Sequence, residues 1–249
     1  MNATYLFAGL PVEINTIYAY VHEYCAAYRT AQAPLFAIST EEADLDYERA
    51  QAARADDKQN GWTSWGGEEK ILEYLESLSV YRKIAERMPF YNVFLFHGSA
   101  LAVDGTAYLF TAKSGTGKST HARLWREMLG ERALMVNDDK PLIRLKKDGT
   151  VTIYGTPYDG KHRLSNPVAV PLKAICLLNR GAENSIERIS PQEAFPSLWI
   201  QAYRPRDPEA CARTLELVKR LSQGVELFRL FCNQEPEAAR VSFEAMGRE

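Results

Sequence analysis

The sequence predicts an α/β protein of the α+β kind, with a mixed, partly antiparallel sheet behind a small N-terminal α/β subdomain. Three observations predict it. Asp104-Gly105 and Lys147-Asp148-Gly149 each stand between apolar, β-rich runs and read as hairpin turns. Between them a strand runs directly into a loop of Gly, Ser and Lys, and a helical pattern follows. The character changes near residue 90, which divides a subdomain over 1–90 from a core over 91–249 with a helical C-terminal part.

The elements follow in order. Residues 4 to 15 read as two short strands around Gly9-Leu10-Pro11. Residues 16 to 29 fit a helix, with Ile17, Tyr20, Val21 and Tyr24 on one face. Leu35 to Ile38 reads as a strand. Residues 41 to 58, rich in charge and alanine, read as an exposed helix. The stretch from Asn60 to Gly67 breaks the pattern, and its Trp62 and Trp65, like Trp199, read as packing residues. Glu68 to Arg87 is the next helix, with Ile71, Leu72, Leu75, Leu78 and Ile84 as its apolar face and Pro89 beyond its end. Tyr91 to Val103 and Thr106 to Thr111 flank the first hairpin turn. A helix is expected over 119–129, with Gly130 at its C-terminal end. A short buried strand follows at Ala133 to Val136 and ends in Asn137-Asp138-Asp139. Leu142 to Leu145 and Val151 to Tyr154 flank the second hairpin, Ala174 to Leu178 is another buried strand, and helices are expected over 191–200 and 208–222.

Composition limits the functions available. Of 249 residues, 46% are apolar and 25% charged, and the net charge is −2. That is enough apolar content for a core, and it offers no general electrostatic grip on nucleic acid or anionic lipid. The four cysteines, Cys25, Cys176, Cys211 and Cys232, are widely spaced and form neither a disulfide framework nor a zinc pattern. The start MNATYLFAGLPVEI lacks the basic start and apolar core of a signal peptide, and no apolar run reaches the roughly 18 residues of a membrane span. A cytoplasmic protein is expected.

The chemistry centres on the run from Ala112 to Thr120. It matches the phosphate-loop pattern G-x-x-x-x-G-K-[ST] except for Ala112 at the first position. Gly115 and Gly117 let backbone N–H groups turn onto phosphate oxygens, with Ser114, Thr116 and Thr120 completing the cradle. The following helix adds its N-terminal dipole. Lys118 is placed to bridge β- and γ-phosphates, and the Ser119 hydroxyl suits Mg²⁺. ATP and Mg²⁺ are therefore the expected cofactors. Asp138-Asp139 stand 20 residues after Lys118. One helix and one turn fit that gap, so their strand should lie beside the strand that feeds the loop. One carboxylate would then hold Mg²⁺ and the other accept the proton of an attacking hydroxyl. Lys161, His162 and Arg163 follow in a Gly/Pro loop. They either stabilise the transferring group or form a solvated turn. Arg204 and Arg206 read as surface residues.

The run His97-Gly98-Ser99-Ala100, Asp104-Gly105, Ser114 to Ser119 and Asn137-Asp138-Asp139 resembles the C-terminal catalytic domain of HPr kinase/phosphorylase, over about residues 93 to 145. That family shares its nucleotide core with ATP-dependent phosphoenolpyruvate carboxykinase. The resemblance implies Asp138 as catalytic base, Asp139 as Mg²⁺ partner and His97 near the phosphates. It implies an ATP-dependent kinase acting on a hydroxyl, a serine of a peptide or protein or a small molecule, and the family forms oligomers. In place of the family's Glu-x-Arg-Gly signature stands Gly155 to Arg163, so HPr itself is not carried over as acceptor. Carboxykinase-like transfer to a small molecule and a non-catalytic ATP-binding module remain the alternatives.

Overall fold

A computed structural model describes residues 1–54 and 67–247. The expectations for Asn60 to Gly66, Trp62 and Trp65 among them, lie outside the described residues. The chain divides into two compact units, Met1–Glu86 and Arg87–Glu249.

The N-terminal unit carries a three-stranded sheet of β1 (Asn2–Phe7), β2 (Leu10–Asn15) and β3 (Phe36–Ser39), antiparallel and then parallel. Its turn is Ala8-Gly9, both at positive φ, while Pro11 sits inside β2 opposite Leu6. The helix expected over 16–29 is not one helix. It is α1 (Tyr20–Tyr24) and a 3₁₀ turn at Ala26–Tyr28. The cause is a carboxylate. Glu76, on α3 (Glu68–Arg87), accepts the backbone N–H groups of Ile17 and Tyr18, and the Thr16 hydroxyl bonds Tyr18 O. These contacts fix the bend over residues 17–19 that precedes α1. The helix α2 (Glu42–Arg54) is less exposed than its composition implies. Leu45 is buried, and Asp44 and Glu48 pair with Arg82 and Lys83.

The C-terminal unit is a nine-stranded mixed sheet with helices on both faces. Its strands are β4 (Val93–Leu95), β5 (Ser99–Val103), β6 (Thr106–Thr111), β7 (Ala133–Asn137), β8 (Leu142–Leu145), β9 (Val151–Tyr154), β10 (Ala169–Arg180), β11 (Ser185–Arg188) and β12 (Glu226–Cys232). The order β7-β5-β6-β10-β12-β11 forms one sheet, in which β6, β10 and β12 are parallel. The first residues of β10 also pair with β9, which continues to β8 and β4. Both hairpins form, and Asp104 and Gly105 take the left-handed dihedrals that a two-residue turn needs.

Period-two alternation splits the strands between two cores. Leu101, Val103, Tyr108, Phe110, Ala174 and Cys176 pack with Trp125 and Ala122 of α4 (Lys118–Leu129) and with Ala239 and Met246 of α7 (Pro236–Met246). Ala100, Ala102, Ala107, Leu109, Ile175 and Leu177 face the other way. They meet Ala194 and Leu198 of α5 (Pro191–Gln201) and Leu217, Val218 and Leu221 of α6 (Pro208–Gly224). Trp199 packs at the edge of this second core. Each of α5, α6 and α7 begins with proline at its first position, and Ser190 with Glu193 forms a capping box on α5.

Two expectations change. The strand β7 is not beside β6; β5 lies between them, paired antiparallel to both. The hairpin β5–β6 already occupies that edge of β6, and β10 occupies the other. The C-terminal part, expected to be mostly helical, also contains β11 and β12. β12 lies parallel beside β10, and β11 is a short, exposed edge strand paired only with β12.

Candidate active site

The strand β6 ends at Thr111 and the loop 112–117 leads into α4. Gly115 and Gly117 have φ of +76° and +122°, and a Cβ at either would meet no atom within 4 Å. Glycine is needed there for the dihedral and not for room. Ala112 does not share the positive φ, so its Cβ brings no such strain. Arg180, at the end of β10, donates to Gly115 O at 2.6 Å and ties the loop to the sheet. Lys118 is buried at 8% exposure, and its Nζ donates to Ala112 O at 3.1 Å. Burial pushes its pKa below the ordinary lysine range, against the opposing pull of Asp139 and Asp138. The lysine charge and both carboxylates thus share one region.

Asn137 sets the direction of the acidic pair. It is fully buried, and its Nδ2 donates to Thr156 O and Oγ1 at 2.9 and 3.1 Å. Its Oδ1 accepts from the backbone N–H of Asp139 and of Lys140. This side chain turns the chain immediately after β7, so Asp138 and Asp139 diverge. Asp138 accepts from Ser99 Oγ at 2.5 Å, and Ser119 of the loop helix lines one cavity with it. Burial holds its pKa above the usual carboxylate range; the Ser99 and Ser119 bonds and the charge of His162 only partly offset this, and Asp139 adds to it. For Asp139, burial also pushes upward, but the bond from His97 and the charges of Lys140 and Lys118 outweigh it and leave the carboxyl below its usual range. Two adjacent carboxylates are therefore driven in opposite directions, a pattern common where acid and metal roles are divided.

His97 reaches Asp139 Oδ1 from Nε2 at 3.4 Å, and its Nδ1 lies 2.7 Å from Gln201 Oε1 at the end of α5. Gly98 must be glycine, because a Cβ there would come within 2.7 Å of Leu109 Cδ1 and 2.9 Å of Phe110 O. The segment 155–163 passes over the pair, and a Cβ on Gly160 would meet Asp139 Cβ at 3.0 Å. Of its three cations, His162 acts on Asp138. Arg163 is exposed and 3.8 Å from Asp159, and Lys161 is exposed with no hydrogen bond or ion pair among the described residues. Arg204 is exposed and bonds Trp199 O and Ile200 O, away from the pair.

Sequence reasoning missed Ser99, Gln201, Asp159 and Arg180. Asp159 is 6% exposed, accepts from Ser165, and has Oδ1 buried without a hydrogen bond. Burial raises its pKa, and Asp138 contributes to the rise. An acidic residue inside the apolar, Gly/Pro-containing run 155–160 was the available signal. Gln201 and Arg180 carried none, since each arrives from a distant element.

Three cavities adjoin the loop. One of about 610 Å³ lies beside Lys113, Thr116, the end of β10 and Gln201. One of about 270 Å³ lies between Gly117, His121 and the end of β12. One of about 170 Å³ lies between α4 and the end of β7 and is lined by Ser119 and Asp138. Among the described residues no three His, Cys, Asp or Glu side chains gather into a metal cage. The donors Ser119 and Asp138 are hard oxygens in contact with each other. They fit a Mg²⁺ ion that takes its remaining ligands from phosphates and water. Among the described residues no helix is long and apolar enough to cross a membrane.

No protein-family model matches this chain, and no curated protein matches it. Among solved structures, the Hpr(Ser) kinase/phosphatase from Coxiella burnetii is similar to it at 13% identity, covering 62% of this chain and 99% of that one, with a TM-score of 0.30.

Proposed function

We propose that this chain is an ATP- and Mg²⁺-dependent kinase that transfers the γ-phosphoryl group to a hydroxyl, that of a serine in a peptide or protein. One observation carries the reading. Ser119, on the helix that leaves the glycine loop, lines one cavity with Asp138, whose carboxyl burial holds above its ordinary range, while Lys118 feels both Asp138 and Asp139. This supports the reading of a phosphate-binding loop beside a proton acceptor.

In this reading the N–H groups at Gly115 to Ser119 and the N-terminal end of α4 hold the β- and γ-phosphates. Lys118 trades its bond to Ala112 O for phosphate oxygens. Mg²⁺ would supply charge neutralisation when bound, with Ser119 and Asp139 as its protein side. The acceptor oxygen attacks the γ-phosphorus, the bond to the β–γ bridging oxygen breaks, ADP leaves, and the hydroxyl proton passes to Asp138. Asp139, held ionised by His97 and Lys140, supports the metal. Positioning and charge compensation account for most of the acceleration in such transfers.

The test uses γ-labelled ATP, Mg²⁺ and seryl peptides with wild type, Lys118→Ala and Asp138→Asn. Label should move to a peptide hydroxyl with wild type only, and Lys118→Ala should lose nucleotide binding. Binding of ATP without transfer to any acceptor, with Asp138→Asn indistinguishable from wild type, would replace the kinase with a non-catalytic nucleotide module.

A further inference from the structure

The cavity of about 170 Å³ that holds Asp138 and Ser119 continues along α4 and is also lined by Arg123, Arg126 and His162. Ser119, Arg123 and Arg126 are spaced i, i+4 and i+7, which places them on one face of the helix. Arg123 is engaged with Glu127 at 2.6 Å. Arg126 differs. It is half-buried, and its guanidinium makes no hydrogen bond, ion pair or ring contact among the described residues. A guanidinium partly withdrawn from water without an acceptor loses hydration for no return, so such a group marks a place where an anion is received. Its position in the last turn of α4 suits the helix dipole, but the dipole does not require a side chain lining a cavity.

We infer that this groove receives an anionic group, a carboxylate or a phosphate, carried by the hydroxyl acceptor. The inference rests on the kinase reading and adds the acceptor's chemistry to it. Asp138 stands at one end of the row and takes the hydroxyl proton. Arg126 stands seven residues along α4 from Ser119, roughly 10 Å at the helical rise, and binds the acceptor's negative charge. The acceptor is then a hydroxyl compound with its charge about two helical turns from the reacting oxygen. His162 closes the groove near Asp138. An Arg fork gives this contact direction as well as charge.

The experiment follows the Arg126 Nε–Hε resonance of the whole chain, assigned from its loss in Arg126→Lys. Inorganic phosphate and acetate are titrated separately, with and without saturating Mg²⁺-ADP. The expected result is a saturable shift of that resonance by at least one anion in the presence of Mg²⁺-ADP. Arg126→Gln should weaken binding of the same anion at least tenfold while leaving Mg²⁺-ADP affinity unchanged. The two titrations separate a carboxylate site from a phosphate site. An Arg126 resonance that ignores both anions overturns the inference. So does one that Mg²⁺-ADP itself shifts and then protects from phosphate, because the groove would then belong to the nucleotide. Failure of Mg²⁺-ADP to bind at all sinks the kinase reading, and the titrations without nucleotide then read the groove alone.

Discussion

Glu76 in the N-terminal unit and Asp138 in the C-terminal unit are both buried carboxylates, and they are held differently. Glu76 in the N-terminal unit is fully buried and accepts two backbone N–H groups, from Ile17 at 2.7 Å and Tyr18 at 3.0 Å, and the Thr40 hydroxyl at 2.5 Å. Backbone donors cannot turn away, so Glu76 is a strut. Asp138 in the C-terminal unit is almost as buried, but the donor to its carboxylate is the hydroxyl of Ser99, and it shares a cavity beside the glycine loop with the hydroxyl of Ser119. Hydroxyls rotate, and one of them belongs to the loop helix. The difference teaches that burial alone does not mark a functional acid. What marks it is burial with movable donors, an open cavity and a repelling neighbour.

The largest expected effect breaks the comparison if it fails. Asp138→Asn should lower phosphoryl transfer about 10³-fold, about 4 kcal/mol in the barrier, with folding intact. Glu76→Ala should cost about 3 kcal/mol of stability, because three donors lose their acceptor in a buried place. Urea unfolding measures the second, and exchange of the Ile17 and Tyr18 amides should accelerate with it. If Asp138→Asn destabilises as much as Glu76→Ala and leaves transfer unchanged, the two acids are both struts.

The pH dependence sharpens the contrast within the pair itself. Asp138 is held above the unfolded carboxylate value near 4. Its contribution to stability is full below that value and is lost as pH rises through its folded pKa. Asp139 is held below it, so its contribution is present above about pH 4 and is lost as pH falls through its folded pKa. At pH 7 Asp138→Asn should therefore raise the urea midpoint and Asp139→Asn should lower it. Midpoints that move the same way in both variants would show that the two carboxyls share one environment.

Local chemistry was legible in the sequence and long-range placement was not. Asp104-Gly105, the glycine loop and the helix from Glu68 state their structure within a few residues, through dihedrals and period. The helix expected over 16–29 is shortened where residues 17–19 bend, and Glu76, nearly 60 residues away, accepts the Ile17 and Tyr18 amides there. The position of β7 was misjudged because spacing along the chain measures what fits between two strands. It does not register that β5 had already taken the edge of β6. In the candidate site, Lys118, Ser119, Asp138, Asp139 and His97 were all visible as types in a pattern. Gln201, which holds His97, and Arg180, which holds the loop, arrive from the ends of α5 and β10 and left no local trace.

The smallest expected effect concerns the loop over the acidic pair. Arg163 has φ of +53°, a backbone state that costs a side-chain-bearing residue about 1 kcal/mol or more. Its ion pair with Asp159 is 3.8 Å long and exposed on the arginine side, worth roughly 0.2–1 kcal/mol. Arg163→Ala loses the pair and keeps the strain, so it should destabilise slightly. Arg163→Gly loses the pair and releases the strain, so its urea midpoint should equal or exceed wild type. Both variants lack the guanidinium equally. A contact from Arg163 to the transferring phosphoryl group would therefore lower transfer by the same factor in both, while stability moves in opposite directions. If transfer instead tracks stability across the two, the arginine serves the loop's shape and His162 is the residue of segment 161–163 that acts on Asp138.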